Sequence, residues 1–166
     1  MKLKMNIAVF AGSFDPFTLG HYDIALRAAS LFDEVVVLVA SNAAKQSLFS
    51  VEARVRLAKT ALHSVDRIRV ESFDGLTVSF MQSIGSRFLV RGLRNALDFE
   101  SERSIAYNNK KLNSEIDTVF LASAPEHFAV SSSVVRELLS YERELDEFVP
   151  KSIKETLLLE WRNLQC

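Results

Sequence analysis

The chain has 166 residues, a length that favours one domain, and we expect a single domain over residues 1–166. Hydrophobic residues make up 48% of the chain and charged residues 25%, a composition that supports a folded core and argues against intrinsic disorder. The formal net charge of −1 argues against a nucleic-acid-binding protein, and the single cysteine, Cys166, excludes an internal disulfide. No apolar run approaches the roughly 20 residues that span a bilayer, so we expect no membrane partner and a cytoplasmic location.

Short apolar runs alternate with amphipathic segments along the chain. The run at residues 35–40 is apolar at every position, which is typical of a parallel strand covered on both faces. Segments that begin near residues 21, 50, 76 and 97 predict helices, and Ser132 or Ser133 is expected to cap another. A last helix is expected over about residues 150–164, with Pro150 in its first position. Strands are predicted from the apolar runs, at residues 5–11, 35–40, 68–72, 88–90 and 119–122.

This alternation predicts an α/β fold: a doubly wound, Rossmann-like parallel sheet of about five strands with helices on both faces. In such sheets, ligands bind beyond the carboxyl ends of the strands, where the strand order reverses. The rule directs attention to the loops that follow residues 11, 40, 90 and 122.

The first of these loops, residues 12–21, leads from a strand into a helix. Gly12 lets the backbone approach a ligand, the Ser13 hydroxyl is a donor, and free main-chain N–H groups at Gly20 and His21 would form an anion site. The loop matches neither Gly-x-x-x-x-Gly-Lys nor Gly-x-Gly-x-x-Gly. The alternative is that both glycines only shape a turn, but the ten-residue string in this context favours a functional loop.

Cationic side chains follow two other strands. Lys45 lies past the second strand, on the expected ligand side of the sheet, although alone it indicates only a solvated lysine. Arg91 and Arg94 follow the strand expected to end at Val90, and their guanidinium groups could bind phosphates from two directions. The alternative is a surface pair neutralised by acidic residues of the next helix, and position and chemistry together favour function.

The last loop, residues 126–133, ends in three serines before an apolar helix. At least one serine is expected to be the N-cap, while the helix N-terminus and the hydroxyls could also hold phosphates. Arg136 lies about one turn into this helix and could reach the same anion.

The segment over residues 97–112, which precedes this loop, is expected to form a poorly amphipathic helix. Such a pattern indicates either a solvated helix or a helix with one face that lines a site or contacts another subunit.

Taken together, these loops resemble the motifs of the bacterial phosphopantetheine adenylyltransferases, a family of the nucleotidyltransferase superfamily with a His/Thr-x-Gly-His signature. The resemblance covers about residues 5–150. Thr18-Leu19-Gly20-His21 points only to the superfamily, whereas Arg91-Gly92-Leu93-Arg94 with Asp98-Phe99-Glu100 and Glu102 is much narrower. Ser131-Ser132-Ser133 and Arg136 complete the match.

The resemblance implies that AMP passes from ATP to 4′-phosphopantetheine, giving dephospho-coenzyme A and pyrophosphate in the penultimate step of coenzyme A synthesis. It also implies Mg²⁺, a homohexamer and feedback inhibition by coenzyme A. Acceptor-binding residues would be Ser13, Lys45, Thr77 and Arg91, and catalytic residues Ser13, His21, Lys45 and Arg94. ATP would meet Ser13, Phe14, His21, Gly92, Leu93, Arg94, Glu102, His127, Phe128, Ala129, Val130, Ser131, Ser132 and Ser133.

Residue chemistry agrees with this reaction. The nucleophile, a phosphate oxygen, is already anionic near neutral pH, and the sequence offers no convincing general-base constellation. The reaction needs two charged reactants in line and donors for the charge on the transferred phosphate, so we expect His21 to stabilise the transition state. Ser13 stands where the family usually has threonine, and His127 stands where an aromatic such as tryptophan can occur.

Three other interpretations stay open. A nucleotidyltransferase with another acceptor is disfavoured by the string from Arg91 to Glu102. A regulatory nucleotide-binding module without chemistry is disfavoured by the presence of His21 and Lys45. A structural assembly subunit would leave the polar residues at the strand ends unexplained.

Overall fold

A computed structural model describes residues 5–41 and 46–165 of the chain. Five strands form one parallel sheet in the order β3-β2-β1-β4-β5. The strands are β1 (Ile7–Gly12), β2 (Glu34–Ser41), β3 (Ile68–Asp74), β4 (Phe88–Leu93) and β5 (Asp117–Ala122). The helices are α1 (Leu19–Leu31), α2 (Val51–Leu62), α3 (Thr77–Ser83), α4 (Ala96–Leu112), α5 (Ser132–Ser140) and α6 (Lys151–Asn163), with a short 3-10 helix at Pro125–His127.

The sheet is covered on both faces, as the sequence predicts. In β1, Ala8 and Phe10 belong to one buried cluster, together with residues of α1, α2, α5 and α6. Val9 and Ala11 point the other way, into a smaller cluster that includes residues of α3. Because alternate residues of a strand face opposite sides, both sets must be apolar, which explains the unbroken apolar runs.

Local polar residues fix where several helices begin. Ser50 accepts a hydrogen bond from the Ala53 N–H at 3.1 Å and caps α2, as the sequence predicts. The cap of α5 is Ser131, which accepts from the Val134 N–H, so the expectation of Ser132 or Ser133 is wrong by one or two residues. Pro150 is likewise the N-cap of α6 and not its first helical residue.

Strand β4 runs further than its apolar residues indicate. It continues through Arg91 and Gly92 to Leu93, because these residues pair with Phe120, Leu121 and Ala122 of β5. The prediction that β4 ends at Val90 is therefore wrong: main-chain pairing, and not side-chain polarity, sets its end. As a result, Arg91 is held on a strand and not on a free loop.

Helix α4 differs from the other five α-helices because none of its 17 residues is buried. Leu97, Ile105, Tyr107 and Leu112 are all exposed on it. Within the described part of the chain, no helix is long and apolar enough to cross a membrane.

Candidate active site

A cavity of about 490 Å³ opens at the carboxyl ends of β1 and β4, where the strand order reverses. Its position is the one expected for a ligand in a doubly wound sheet, and its volume suits a small-molecule ligand. Its walls come from the β1–α1 loop, residues 46–47, the end of β4 with the start of α4, and residues 123–136.

Gly92 lets helix α1 approach the end of β4. A Cβ atom at this position would lie 3.1 Å from Cγ1 of Ile24, closer than ordinary van der Waals contact. The absence of a side chain therefore brings the start of α1, which carries His21, against the strand that carries Arg91.

His21 is oriented by the N-cap of its own helix. The Thr18 N–H donates to His21 Nδ1 at 3.1 Å, and the His21 N–H donates to Thr18 Oγ1 at 3.4 Å, which together form a capping box. A main-chain N–H can only donate, so Nδ1 is the acceptor and the proton of the neutral ring sits on Nε2. The N–H of His21 was expected to be free for an anion; it is instead used by the cap.

The surroundings of His21 keep its ring neutral. Phe14 meets the ring edge-on with centroids 5.0 Å apart, and the Phe17 ring lies at 5.5 Å. Burial, together with the positive charges of Arg94 and Arg91, lowers the pKa of His21 from 6.5 to about 3. At neutral pH, His21 is therefore an uncharged hydrogen-bond donor through Nε2.

Phe14 lies at the cavity in an unusual backbone conformation. The residue is 1% exposed, and its ring packs against that of Phe10, with ring centroids 5.1 Å apart. Its φ of +47° lies in the left-handed region, which a residue with a large side chain rarely adopts. Such local strain is common where a backbone is shaped for a ligand.

Each of the two arginines at the end of β4 is paired with a carboxylate of α4. Arg91 makes a bidentate contact with Glu102, Nε to Oε2 at 2.7 Å and Nη2 to Oε1 at 2.5 Å, and also donates to the Ala11 carbonyl. Arg94 binds Asp98 through Nε at 3.0 Å and through its own main-chain N–H at 3.0 Å. Burial raises the pKa of Asp98, but the hydrogen bonds and the charge of Arg94 outweigh it and hold that pKa below its usual value.

The start of α5 is joined to the β1–α1 loop by side-chain hydrogen bonds. Ser132 Oγ donates to the Pro16 carbonyl at 2.8 Å. Arg136 donates through Nη1 to the Asp15 carbonyl at 2.6 Å and through Nη2 to Ser133 Oγ at 3.2 Å. These bonds hold the two walls of the cavity together.

Most of the residues that the sequence assigns to the site line this one cavity. Thr77, Leu93, Phe128 and Ala129 do not line it, and Lys45 lies outside the described residues. The assigned residues that do line it are Ser13, Phe14, His21, Arg91, Gly92, Arg94, Glu102, His127, Val130, Ser131, Ser132 and Ser133. Their individual roles stay predictions.

Other residues line the cavity without a role predicted from the sequence, among them Asp15, Thr18, Gln46 and Ser123. A signal existed for Thr18, because threonine three residues before a polar side chain at a helix start is a capping-box pattern. We see no such signal for Asp15, since nothing in a single sequence marks a carboxylate as buried.

Comparison with known proteins places the chain among nucleotidyltransferases. The sequence profile of the cytidylyltransferase-like family matches residues 9–138. A phosphopantetheine adenylyltransferase of Lachnoclostridium phytofermentans is 46% identical over 92% of this chain and 94% of the relative. One from Thermotoga neapolitana is 46% identical over 91% of this chain and 94% of its own length.

A solved structure shows the same fold. A Vibrio parahaemolyticus protein described as a nicotinate-nucleotide adenylyltransferase superposes with a TM-score of 0.75 over 96% of each chain. Its sequence identity of 16% supports the fold alone.

The low pKa of His21 predicts a pH dependence of stability. Between about pH 3 and 6.5 the unfolded chain binds a proton at His21 and the folded chain does not, so folding stability must fall as the pH falls through this window. His21 contributes at most about 1.4 kcal/mol per pH unit to the slope of the free energy of unfolding against pH. When that free energy is measured by urea unfolding across this range, it should therefore fall less steeply with falling pH in His21→Gln than in the unmodified chain. Equal slopes would contradict the neutral histidine.

Proposed function

The chain belongs to the cytidylyltransferase-like family, among its phosphopantetheine adenylyltransferases, and on this basis we propose that it transfers AMP from ATP to 4′-phosphopantetheine. The products are dephospho-coenzyme A and pyrophosphate, in the penultimate step of coenzyme A biosynthesis. The observation that carries the proposal is the neutral His21 beside Arg91 and Arg94 in one cavity at the switch point of the sheet.

The reaction requires alignment and charge stabilisation more than proton transfer. An anionic oxygen of the acceptor phosphate attacks the α-phosphorus of ATP and forms a new P–O bond. The bond from that phosphorus to the oxygen bridging to the β-phosphate breaks, and pyrophosphate leaves with its electron pair. No proton must be removed, so groups that fix both reactants in line and donate hydrogen bonds are sufficient.

His21 suits the α-phosphate because its donor is preorganised. The cap fixes which nitrogen carries the proton, and the packed rings restrict the imidazole plane. A donor that does not have to reorganise favours the charge that develops in the transition state. Ser13, Lys45 and Arg94 complete the proposed catalytic group.

The remaining assignments divide the cavity between the two substrates. ATP is assigned to the β4 and α5 side, including Gly92, Arg94, Glu102 and residues 127–133. The acceptor is assigned to Ser13 and Arg91, which line the cavity, and to two residues predicted from the family resemblance: Thr77, which does not line it, and Lys45, which lies outside the described residues. Because Arg91 is already held by Glu102, its guanidinium is oriented before a phosphate arrives.

Magnesium is proposed as the ion that accompanies ATP. Among residues 5–41 and 46–165, no group of three or more histidine, cysteine or acidic side chains could hold a metal. Asp98 and Glu102 in the cavity are each paired with an arginine. Because these carboxylates are already paired, they fit a magnesium ion that is held mainly by the phosphates of ATP. The ion would neutralise charge on the leaving pyrophosphate.

Assembly, regulation and location are proposed from the family. The homohexamer is taken from the family resemblance. Helix α4 supports self-association, because it exposes Leu97, Ile105 and Leu112 and buries none of its residues in the chain described. Coenzyme A carries the same pantetheine arm as the acceptor and is proposed to inhibit from this cavity. The proposed location is the cytoplasm.

The first test is pyrophosphate release from ATP and Mg²⁺ with and without 4′-phosphopantetheine. We expect release only with the acceptor, formation of dephospho-coenzyme A, and loss of the activity when EDTA removes the magnesium. ATP binding without acceptor-dependent release would instead favour another acceptor or a regulatory module.

His21→Gln should lower kcat by about 100-fold or more, with a much smaller change in ATP affinity, because the donor matters most when charge develops. Steady-state kinetics and ATP titration give the two quantities. His63→Gln is the matched control, since His63 is exposed at the end of α2. Equal losses in kcat and in ATP affinity would argue against a transition-state role.

Light scattering of the unmodified protein should give about six times the 18.7 kDa chain mass. Ile105→Lys, which places a charge on the exposed face of α4, should shift the mass towards smaller species. Leu159→Lys on α6 provides a control with a similar change at another exposed position. A monomeric parent, or a variant that still forms hexamers, would contradict the assigned interface.

A further inference from the structure

Four polar or charged residues are buried in the described structure, and three of them lie around the cavity. They are Asp15, Thr18 and Arg54, with exposures of 5%, 1% and 2%, while Ser86 lies elsewhere. Thr18 orients His21, as shown above. Arg54 has no part in the mechanism, although burying a cation is costly unless it is well bonded.

Arg54 projects from the first turn of α2 and donates to three main-chain carbonyls. Its Nη1 donates to Ser13 at 2.6 Å and to Ala40 at 3.2 Å. Its Nε donates to Phe49 at 3.1 Å. A single guanidinium thus joins the loop after β1, the end of β2 and the residue before the α2 cap.

Asp15 makes the complementary set of bonds. Its carboxylate accepts from the Leu48 N–H at 2.8 Å and from the Phe49 N–H at 2.9 Å. Burial lowers the pKa of Arg54, and the negative charge of Asp15 opposes that effect. An arginine retains its charge at neutral pH under these conditions. Both charged side chains therefore bind main-chain groups: the Asp15 carboxylate accepts from N–H groups, and the Arg54 guanidinium donates to carbonyls. Phe49 is bound at both its N–H and its carbonyl.

These anchors define the wall of the cavity on its β2 side. Ser13, Gln46 and Ser47 line this wall. The Ser13 carbonyl is bonded directly to Arg54, and Gln46 and Ser47 immediately precede the anchored Leu48 and Phe49. The opposite wall, formed by α5, is bonded to the same β1–α1 loop through Ser132, which donates to the Pro16 carbonyl, and through Arg136, which donates to the Asp15 carbonyl.

We propose that Arg54 is a positioning residue for the transfer: its buried guanidinium fixes the main chain of Ser13 and of residues 40 and 49, and so aligns the acceptor phosphate. This inference rests on the proposed function. In-line attack is sensitive to displacements of about 1 Å, so a cation that fixes three carbonyls around Ser13 affects the rate without touching a substrate.

The test is Arg54→Lys, which keeps the charge but cannot place donors at both the Nε and Nη1 positions. In the acceptor-dependent assay, we expect kcat to fall about 10- to 100-fold and KM for 4′-phosphopantetheine to rise, with KM for ATP changed less than about two-fold. Arg56→Lys is the matched control, because Arg56 lies on the same helix but is exposed and paired with Glu160. Circular dichroism and thermal unfolding check that both variants are folded.

A second measurement separates positioning from general stability. Arg54→Ala leaves a space of guanidinium size, and added guanidinium at low millimolar concentration should restore part of kcat, whereas sodium chloride at the same ionic strength should not. Unchanged kinetics in folded Arg54→Lys, equal rises in both KM values, or failure of both Arg54 variants to fold would overturn the inference. The assay of the unmodified protein separates failure of the proposed function from failure of the Arg54 inference. If the unmodified protein shows no acceptor-dependent activity, the proposed function is wrong; if it is active and the Arg54 variants behave as just described, only the inference about Arg54 is wrong.

Discussion

Strand β1 pairs in parallel with β2 on one side and β4 on the other, and this central position decides which residues can meet. Chain segments leaving β1 and β4 diverge around a gap at the carboxyl edge of the sheet, which becomes the cavity. Residues separated by about 80 positions, such as the Ala11 carbonyl and the Arg91 guanidinium, are brought into contact there. The site depends on this pairing, because each wall is built on a different strand end.

Each of the two arginines at the end of β4 is paired with a carboxylate before any substrate arrives. Arg91 and Glu102 are more buried than Arg94 and Asp98, with side-chain exposures of 25% and 15% against 40% and 24%. Exposed ion pairs contribute only about 0.2–1 kcal/mol, so a phosphate with more than one negative charge can displace Asp98 from Arg94. The half-buried bidentate pair of Arg91 and Glu102 is costlier to break than the more exposed pair of Arg94 and Asp98, which suits an arginine that keeps its position. The two arginines are therefore equipped for different tasks although they lie three residues apart.

The sequence predicted those features that depend on side-chain pattern. Unbroken apolar runs such as residues 35–40 are required by a sheet covered on both faces, and they marked the strands and hence the ligand-binding edge. The end of β4 was not predictable, because Arg91 and Gly92 continue by main-chain pairing to Phe120 and Leu121. Arg54 was missed for a different reason: an arginine in an amphipathic helix is normally solvent-exposed, and only the folded loops bring three carbonyls around it.

The neutral state of His21 also bears on how binding and catalysis are linked. Burial is the largest cause of its low pKa, and Arg94 and Arg91 add to it. Phosphates bound to these arginines would oppose the electrostatic part of the shift, but the burial part would persist because the packed rings of Phe14 and Phe17 do not depend on the ligand. In the proposed reaction, His21 would therefore act as a neutral hydrogen-bond donor. Its hydrogen bond would strengthen as charge develops on the α-phosphate, so it would favour the transition state over the bound substrate.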